Sequence, residues 1–185
     1  MKSSDARFNI IFDRLLLLLM ATALASGCKS TSQNRHHQIS TLELHLEVAK
    51  EPSDLVEQVG IFRSNPVHIN VERHPFLFEK NIKDAKLIEN EGGFSIKIQF
   101  DRQGTWLLEQ YSGSNRGRRF AVFCEWVMPP EVKKNDGRWV AAPKITQRIT
   151  DGVFTFSPDA TREEVEQIVF GLNNVAERNK KADEW

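Results

Sequence analysis

The stretch that decides the fold runs from Gly117 to Leu172. It contains GRRFAVFCEW (117–126), RWVAAPKITQRI (138–149), GVFTF (152–156) and TREEVEQIVFGL (161–172). In order, these read as a strand, a second strand beyond a loop, a short strand and a helix. Thr161 and Glu164 stand at capping-box spacing, hydroxyl on one free N–H and carboxylate on another. Pro158 and Asp159 suit the approach to a helix, and Glu163, Glu164 and Glu166 complement the positive end of its dipole. Val165, Ile168, Val169, Leu172 and Val175 recur at helical spacing as one apolar stripe. Burying four large aliphatic side chains is worth on the order of 6–12 kcal/mol gross, so the stripe needs a sheet to lie on. Phe120, Val122 and Cys124 alternate with Ala121 and Phe123. Both faces of that strand are apolar, which predicts a central position. Val140, Ala142 and Ile145 belong to its partner.

Upstream, the pattern is mostly alternation. Leu42, Leu44, Leu46 and Val48 alternate with Glu43, His45, Glu47 and Ala49, the mark of a half-buried strand. Residues 53–62 are ambiguous between a strand around Val59 and Ile61 and a short helical turn. Ser64-Asn65-Pro66 reads as a turn, and Val67, Ile69 and Val71 as the next strand. His45 and His68 fall on the polar faces of their strands and are expected as a surface pair. Phe78–Lys83 suggests a short helix, Lys86–Glu89 a strand, and Glu91-Gly92-Gly93 a hairpin turn into Phe94–Phe100. Asp101 can cap a helix from about Arg102 to Ser112, with Trp106, Leu107 and Tyr111 on its buried side.

The N-terminus carries its own signal. Lys2, Arg7 and Arg14 precede Leu15–Leu24, an apolar run of ten residues, too short to span a bilayer as a helix. Leu24-Ala25-Ser26-Gly27-Cys28 follows and resembles the lipobox of bacterial lipoproteins. That resemblance implies cleavage after residue 27, lipidation of Cys28 and attachment to a membrane through the acyl chains. Lys29 behind the cysteine leans towards the outer membrane. Residues 28–40 are polar and aperiodic, as in a flexible tether. The leader takes three basic and two acidic residues of the 25 and 25, leaving 22 and 23. This near-neutral chain shows no bulk attraction to nucleic acid. Cys124 is then the one remaining thiol, so no intramolecular disulfide is expected, and its place in an apolar strand predicts a buried, inert side chain.

No motif selects a catalytic or cofactor site. The chain has no G-x-S-x-G elbow, H-E-x-x-H, C-x-x-C or phosphate-binding loop. Asp101, Glu109, Glu125 and Asp151 could supply a carboxylate pair, but no spacing picks two of them. His36 and His37 lack a third ligand at sensible spacing. The one local basic cluster is Arg116, Arg118 and Arg119, able to bind a phosphate or a partner's carboxylates, or simply to flank a strand in water.

Three segments carry a resemblance: FLFEKNIKDAKL, GGFSIKIQFDRQGTWLLEQYSGSNRGRRFAVF and WVAAPKITQRITDGVFTFSPDATREEVEQI. Together they resemble the first periplasmic head domain of SecD, the export-membrane partner of the bacterial Sec translocon. The matching positions are Ile82, Ala85, Gly104, Asn115, Gly117, Ala121, Ala142, Pro143, Ile145, Ile149, Gly152, Thr161, Glu163 and Glu164, within residues 75–174. Two features depart from the family pattern: a longer loop from Val127 to Gly137, and Val165 where alanine is usual. SecD proper continues into transmembrane helices that couple the proton gradient to export, and the resemblance does not extend to that pump.

The expected architecture is α+β: a mostly antiparallel sheet with the Arg102 and Thr161 helices on one face. The expected divisions are a leader (1–27), a tether (28–40), N-terminal strands forming an extension (41–74), a head-like domain (75–178) and a polar tail (179–185). The expected function is that of a non-catalytic, cofactor-free envelope lipoprotein facing the periplasm. It would contact exported polypeptide or a Sec component, with Arg116, Arg118 and Arg119 as candidate contacts. The alternative is an assembly lipoprotein that reuses the head fold as a docking module.

Overall fold

The computed structural model of the chain describes residues 38–127 and 135–183. The leader, Cys28, His36 and His37, together with Pro129, Pro130, Lys133 and Lys134 of the long loop, lie outside the described residues.

The main sheet has the order β4-β1-β7-β8, with β1 Ser40–Leu46, β4 Leu77–Phe78, β7 Phe120–Val127 and β8 Asn135–Ala141. Every pairing in it is antiparallel. β7 is central, as its two apolar faces require. Phe120, Val122, Cys124 and Trp126 enter the main core, while Ala121 on the opposite face enters a second, smaller one. Val140 of β8 is fully buried in the main core, and Ala142 and Ile145 pack just beyond the strand's end.

A second antiparallel sheet, β5-β6-β9, comprises β5 Ile82–Asn90, β6 Gly93–Phe100 and β9 Val153–Phe156. Its inner face adds Ile96, Ile98, Phe100, Phe154 and Phe156 to the main core. Both helices reach that same core. Helix α1 (Arg102–Ser114) contributes Leu108, and α2 (Arg162–Asp183) contributes Val165, Ile168 and Leu172. The caps form as the sequence requires. Asp101 Oδ1 accepts from the Gly104 N–H at 2.6 Å. Glu164 N–H donates to Thr161 Oγ1 at 3.2 Å, while Thr161 N–H donates to Glu164 Oε2 at 2.6 Å.

Two glycines are fixed by their surroundings. Gly152 has φ +69°, and a side chain there would run into Thr105 of α1. Gly171 lets α2 approach β1 so closely that a Cβ would collide with Ser40.

The N-terminal strands are not all an extension. β1 pairs with β7 along its whole length, from Ser40 opposite Trp126 to Leu46 opposite Phe120. The hairpin is β2 (Val56–Ile61) with β3 (Val67–Glu72), joined through the Ser64-Asn65-Pro66 turn. It covers the second face of the main sheet, burying Val59, Ile61, Ile69 and Val71 against Ala121 and Ala142. This corrects the expectation for His45. His45 stands opposite Ala121 on that face and is 3% exposed, edge-on to Trp139 at 4.8 Å. Its Nδ1–H donates to the Glu72 carbonyl at 2.7 Å. His68 is exposed. Alternation marks which face a residue takes, but not whether a later hairpin will cover that face.

Two local readings also change. Helix α1 turns Gly104, Leu108 and Ser112 inward. Leu107 and Tyr111 pack against the core edge, Tyr111 stacked on Phe76 at 4.0 Å, while Trp106 is 58% exposed. The stripe therefore runs at i, i+4, i+8, and Trp106 falls outside it. The expected helix at Phe78–Lys83 is one 3₁₀ turn, Glu79–Asn81, and β5 begins at Ile82.

Candidate functional site

The Arg116–Arg119 cluster lies between α1 and β7. Asn115 ends α1, its side chain donating to the Tyr111 carbonyl at 3.0 Å, and Gly117 turns the chain at φ +88°. The chain then pairs with residues 143–145. Gly117 N–H donates to the Ile145 carbonyl, Ile145 N–H to the Arg118 carbonyl, and Phe120 N–H to the Pro143 carbonyl, at 2.8–3.0 Å. The Arg119 guanidinium donates to the Ala142 carbonyl at 3.0 Å. All three arginines are exposed. The pairing sets Arg119 opposite Lys144, so the cluster gains a fourth basic residue that sequence distance concealed.

Residues 143–151 line a groove of about 350 Å³ and are tied to α1, where Ile149 N–H donates to Ser112 Oγ at 2.9 Å and Arg148 pairs with Glu109. Phe120 and Phe154, with ring centroids 6.0 Å apart, lie at its floor with Ile145. Its far wall is β9, the outer strand of its sheet. Phe100 N–H donates to the Gly152 carbonyl at 3.0 Å, making Phe100–Gly152 a hydrogen-bonded pair. By antiparallel alternation, Phe154 and Phe156 then bond to β6, while Val153 and Thr155 direct their N–H and C=O groups outward. The Val153 N–H is taken by Asp151 Oδ1 at 3.0 Å. The Val153 carbonyl and both backbone groups of Thr155 have no protein partner among the described residues.

Three other edge strands, β5, β8 and β3, are each met by another part of the chain. The same alternation turns Ala85 of β5 outward. There the Asn173 side chain of α2 accepts from the Ala85 N–H and donates to its carbonyl, both at 2.9 Å, as a neighbouring strand would. The outer side of β8 receives the Asp159 N–H at the Val140 carbonyl, 2.7 Å. β3 is met by Val48 N–H at the Asn70 carbonyl, 2.8 Å. A larger groove of about 580 Å³ lies between the start of β5 and the C-terminal half of α2. It carries both signs of charge, with Lys80, Lys83 and Lys180 facing Asp84, Asp101 and Glu177, and Asn179 bonds to the Lys80 carbonyl.

Polar chemistry elsewhere is structural. Glu164, besides capping α2, accepts from Arg138 Nη2 at 2.9 Å and lies 3.6 Å from Arg63 Nη1. Arg63 also donates its backbone N–H to Asp159 at 2.6 Å. This cluster clips the β2–β3 turn and β8 to the start of α2. Burial pushes the Glu164 carboxyl up. Hydrogen bonds from Arg138 and the Thr161 N–H, with the charges of Arg138 and Arg63, outweigh it and hold the group below the usual carboxylate range. Burial pushes the Cys124 thiol far above its ordinary range, against a smaller lowering by Arg138 and with a further push from Glu43. The four candidate carboxylates do not converge through any bond among themselves. Asp101 caps α1, Glu109 pairs with Arg148 at 2.5 Å, and Asp151 holds Val153. Glu125 stands on β7 opposite Gly137.

Pro143, Ile145 and Ile149 were legible in the sequence as matching positions of the family resemblance, and the structure shows that they line the groove. The open edge of β9 carried no signal of its own, because Val153–Phe156 reads the same whether a fourth strand follows it or not.

The described residues form an antiparallel α+β domain with an open strand edge beside an apolar-floored groove. Residues 54–176 match the model of SecDF, P1 head subdomain, and the chain belongs to that family. The match takes in the β2–β3 hairpin, whereas β1 precedes it. The fold is similar to a solved structure of the membrane component SecDF that enhances protein export. The TM-score is 0.52 at 19% identity, over 80% of this chain and 70% of that one. A crystal structure of SecDF in a super-membrane-facing form matches with TM-score 0.52 and 19% identity, over 80% of this chain. This chain spans 21% of the length of that one. No curated protein matches.

Proposed function

We propose that the chain is a non-catalytic envelope protein that contacts exported polypeptide, or a Sec component, at the groove between β9 and residues 143–151. Membership of the SecDF P1 head family carries this reading, and the apolar floor and open β9 edge of the groove support it. The basic cluster of Arg116, Arg118 and Arg119 with Lys144 would steer the partner's acidic groups to one end. Lipidation at Cys28 would hold the domain at a membrane facing the periplasm, the outer membrane by the Lys29 argument. No helix among the described residues is long and apolar enough to cross a membrane.

The test is photocrosslinking in native membranes from Thr146, an exposed residue of the groove wall, and from Arg118. Adducts with newly exported chains or Sec components are the expected result. A second reading is an assembly lipoprotein that reuses the head fold as a docking module for one envelope protein, since a fold does not fix its function. Adducts with a single unrelated envelope protein, and none with exported chains, would establish it instead.

A further inference from the structure

We infer that the partner binds by strand addition: an extended segment pairs with β9 as a fourth strand of the β5-β6-β9 sheet. This rests on the proposed polypeptide contact and specifies its chemistry. The outward Thr155 N–H and C=O and the Val153 C=O present one donor and two acceptors along the strand. That pattern is the complement of an extended backbone and of little else.

The side chains set the sequence preference. A partner residue opposite Thr155 shares its face and points to solvent, because Thr155 is exposed whereas Phe154 and Phe156 are buried. The residues on either side of it point inward, towards Phe120, Ile145 and Phe154 at the groove floor. The occupant therefore alternates apolar with polar residues. Charge complementarity decides the polar ones. Lys144 stands on the groove wall, with Arg116 and Arg118 close by in the chain pairing, while Arg148 of the wall is already paired with Glu109. The acidic residue of the groove, Asp151, already accepts from Val153. Acidic side chains on the solvent face are thus preferred over basic ones.

The segment closing β5 shows what this edge lacks. At Ala85 an asparagine amide supplies a donor and an acceptor in place of a strand, and Thr155 has no such substitute among the described residues.

The probe is an eight-residue peptide of alternating valine and glutamate, titrated against the intact folded protein. Two further versions carry N-methyl groups on the valines only or on the glutamates only. Glutamates opposite Thr155 use their N–H groups to bond β9, so methylating them should weaken binding by roughly tenfold. Methylating the valines should change it less than about twofold. A lysine-for-glutamate version should bind more weakly than the parent. On the protein side, Thr155→Pro removes the outward donor without touching a β6 bond and should abolish binding, whereas Thr155→Ala keeps the N–H and should bind as before.

Equal loss in both methylated series, or none in either, overturns strand addition. So does a dimer in sedimentation that Thr155→Pro dissociates, since the edge would then be closed by a second copy. Failure of the parent peptide to bind, alongside positive crosslinking to exported chains, would reject the mode and leave the polypeptide contact standing. Failure of both experiments would reject the contact as well.

Discussion

Glu164 shows how much one residue can carry. It closes the capping box of α2, receives Arg138 and faces Arg63, all from a largely buried position. Its folded-state pKa is lowered, so its contribution to stability is present above the unfolded carboxylate pKa of about 4.3. That contribution is lost as pH falls through the folded value. Thermal melts should therefore show wild-type stability falling below about pH 4. Glu164→Gln should be less stable by roughly 2 kcal/mol at pH 7 and show a smaller acid-dependent fall. A variant with the full wild-type pH slope would assign that slope to other carboxylates. Cys124 is the opposite case, a reactive group silenced by its place. Peptide mapping after thiol labelling should find it unmodified in the folded protein and modified only on denaturation. Rapid labelling under native conditions would show that β7 opens locally. Phe62, at φ +72° in the β2–β3 turn, is the one non-glycine residue with positive φ among those described. Its neighbour Arg63 is tied to Asp159 by backbone and side chain, which holds the turn in that conformation.

Among the elements, the edges separate structural from interactive strands. β5 is long and would be an aggregation-prone edge if left open. Asn173 pairs with its backbone at Ala85. Asn173→Ala leaves a part-buried N–H and C=O unpaired and should cost about 1–3 kcal/mol in denaturant unfolding. Faster hydrogen exchange at Ala85 should accompany it; unchanged exchange would mean that α2 shields the edge without the amide. This role was not legible in the sequence, since Asn173 sits midway along the ordinary amphipathic pattern of α2. The same holds for Gly171, whose missing side chain sets the distance between α2 and β1. Trp106 was misplaced for a related reason. An aromatic residue in a helix is a reasonable guess for the core, but Gly104, Leu108 and Ser112 fixed which side of α1 turned inward.

At the scale of the molecule, local signals determined the elements. The capping box, the stripe of α2, the two apolar faces of β7, the Asp101 cap and the β5–β6 hairpin turn all depend on residues within a few positions of one another. Spacing and propensity read such features directly, and the family pattern over the same residues supplied the α+β class. Tertiary structure alone decided what depends on long-range pairing. It placed β1 inside the main sheet, laid the β2–β3 hairpin over its second face and so buried His45. It brought Lys144 to the arginine cluster and joined Arg63 and Arg138 at Glu164. The groove beside β9 belongs to this second group. An edge is open or closed according to what the rest of the chain sets beside it, and the four residues of the strand cannot encode that.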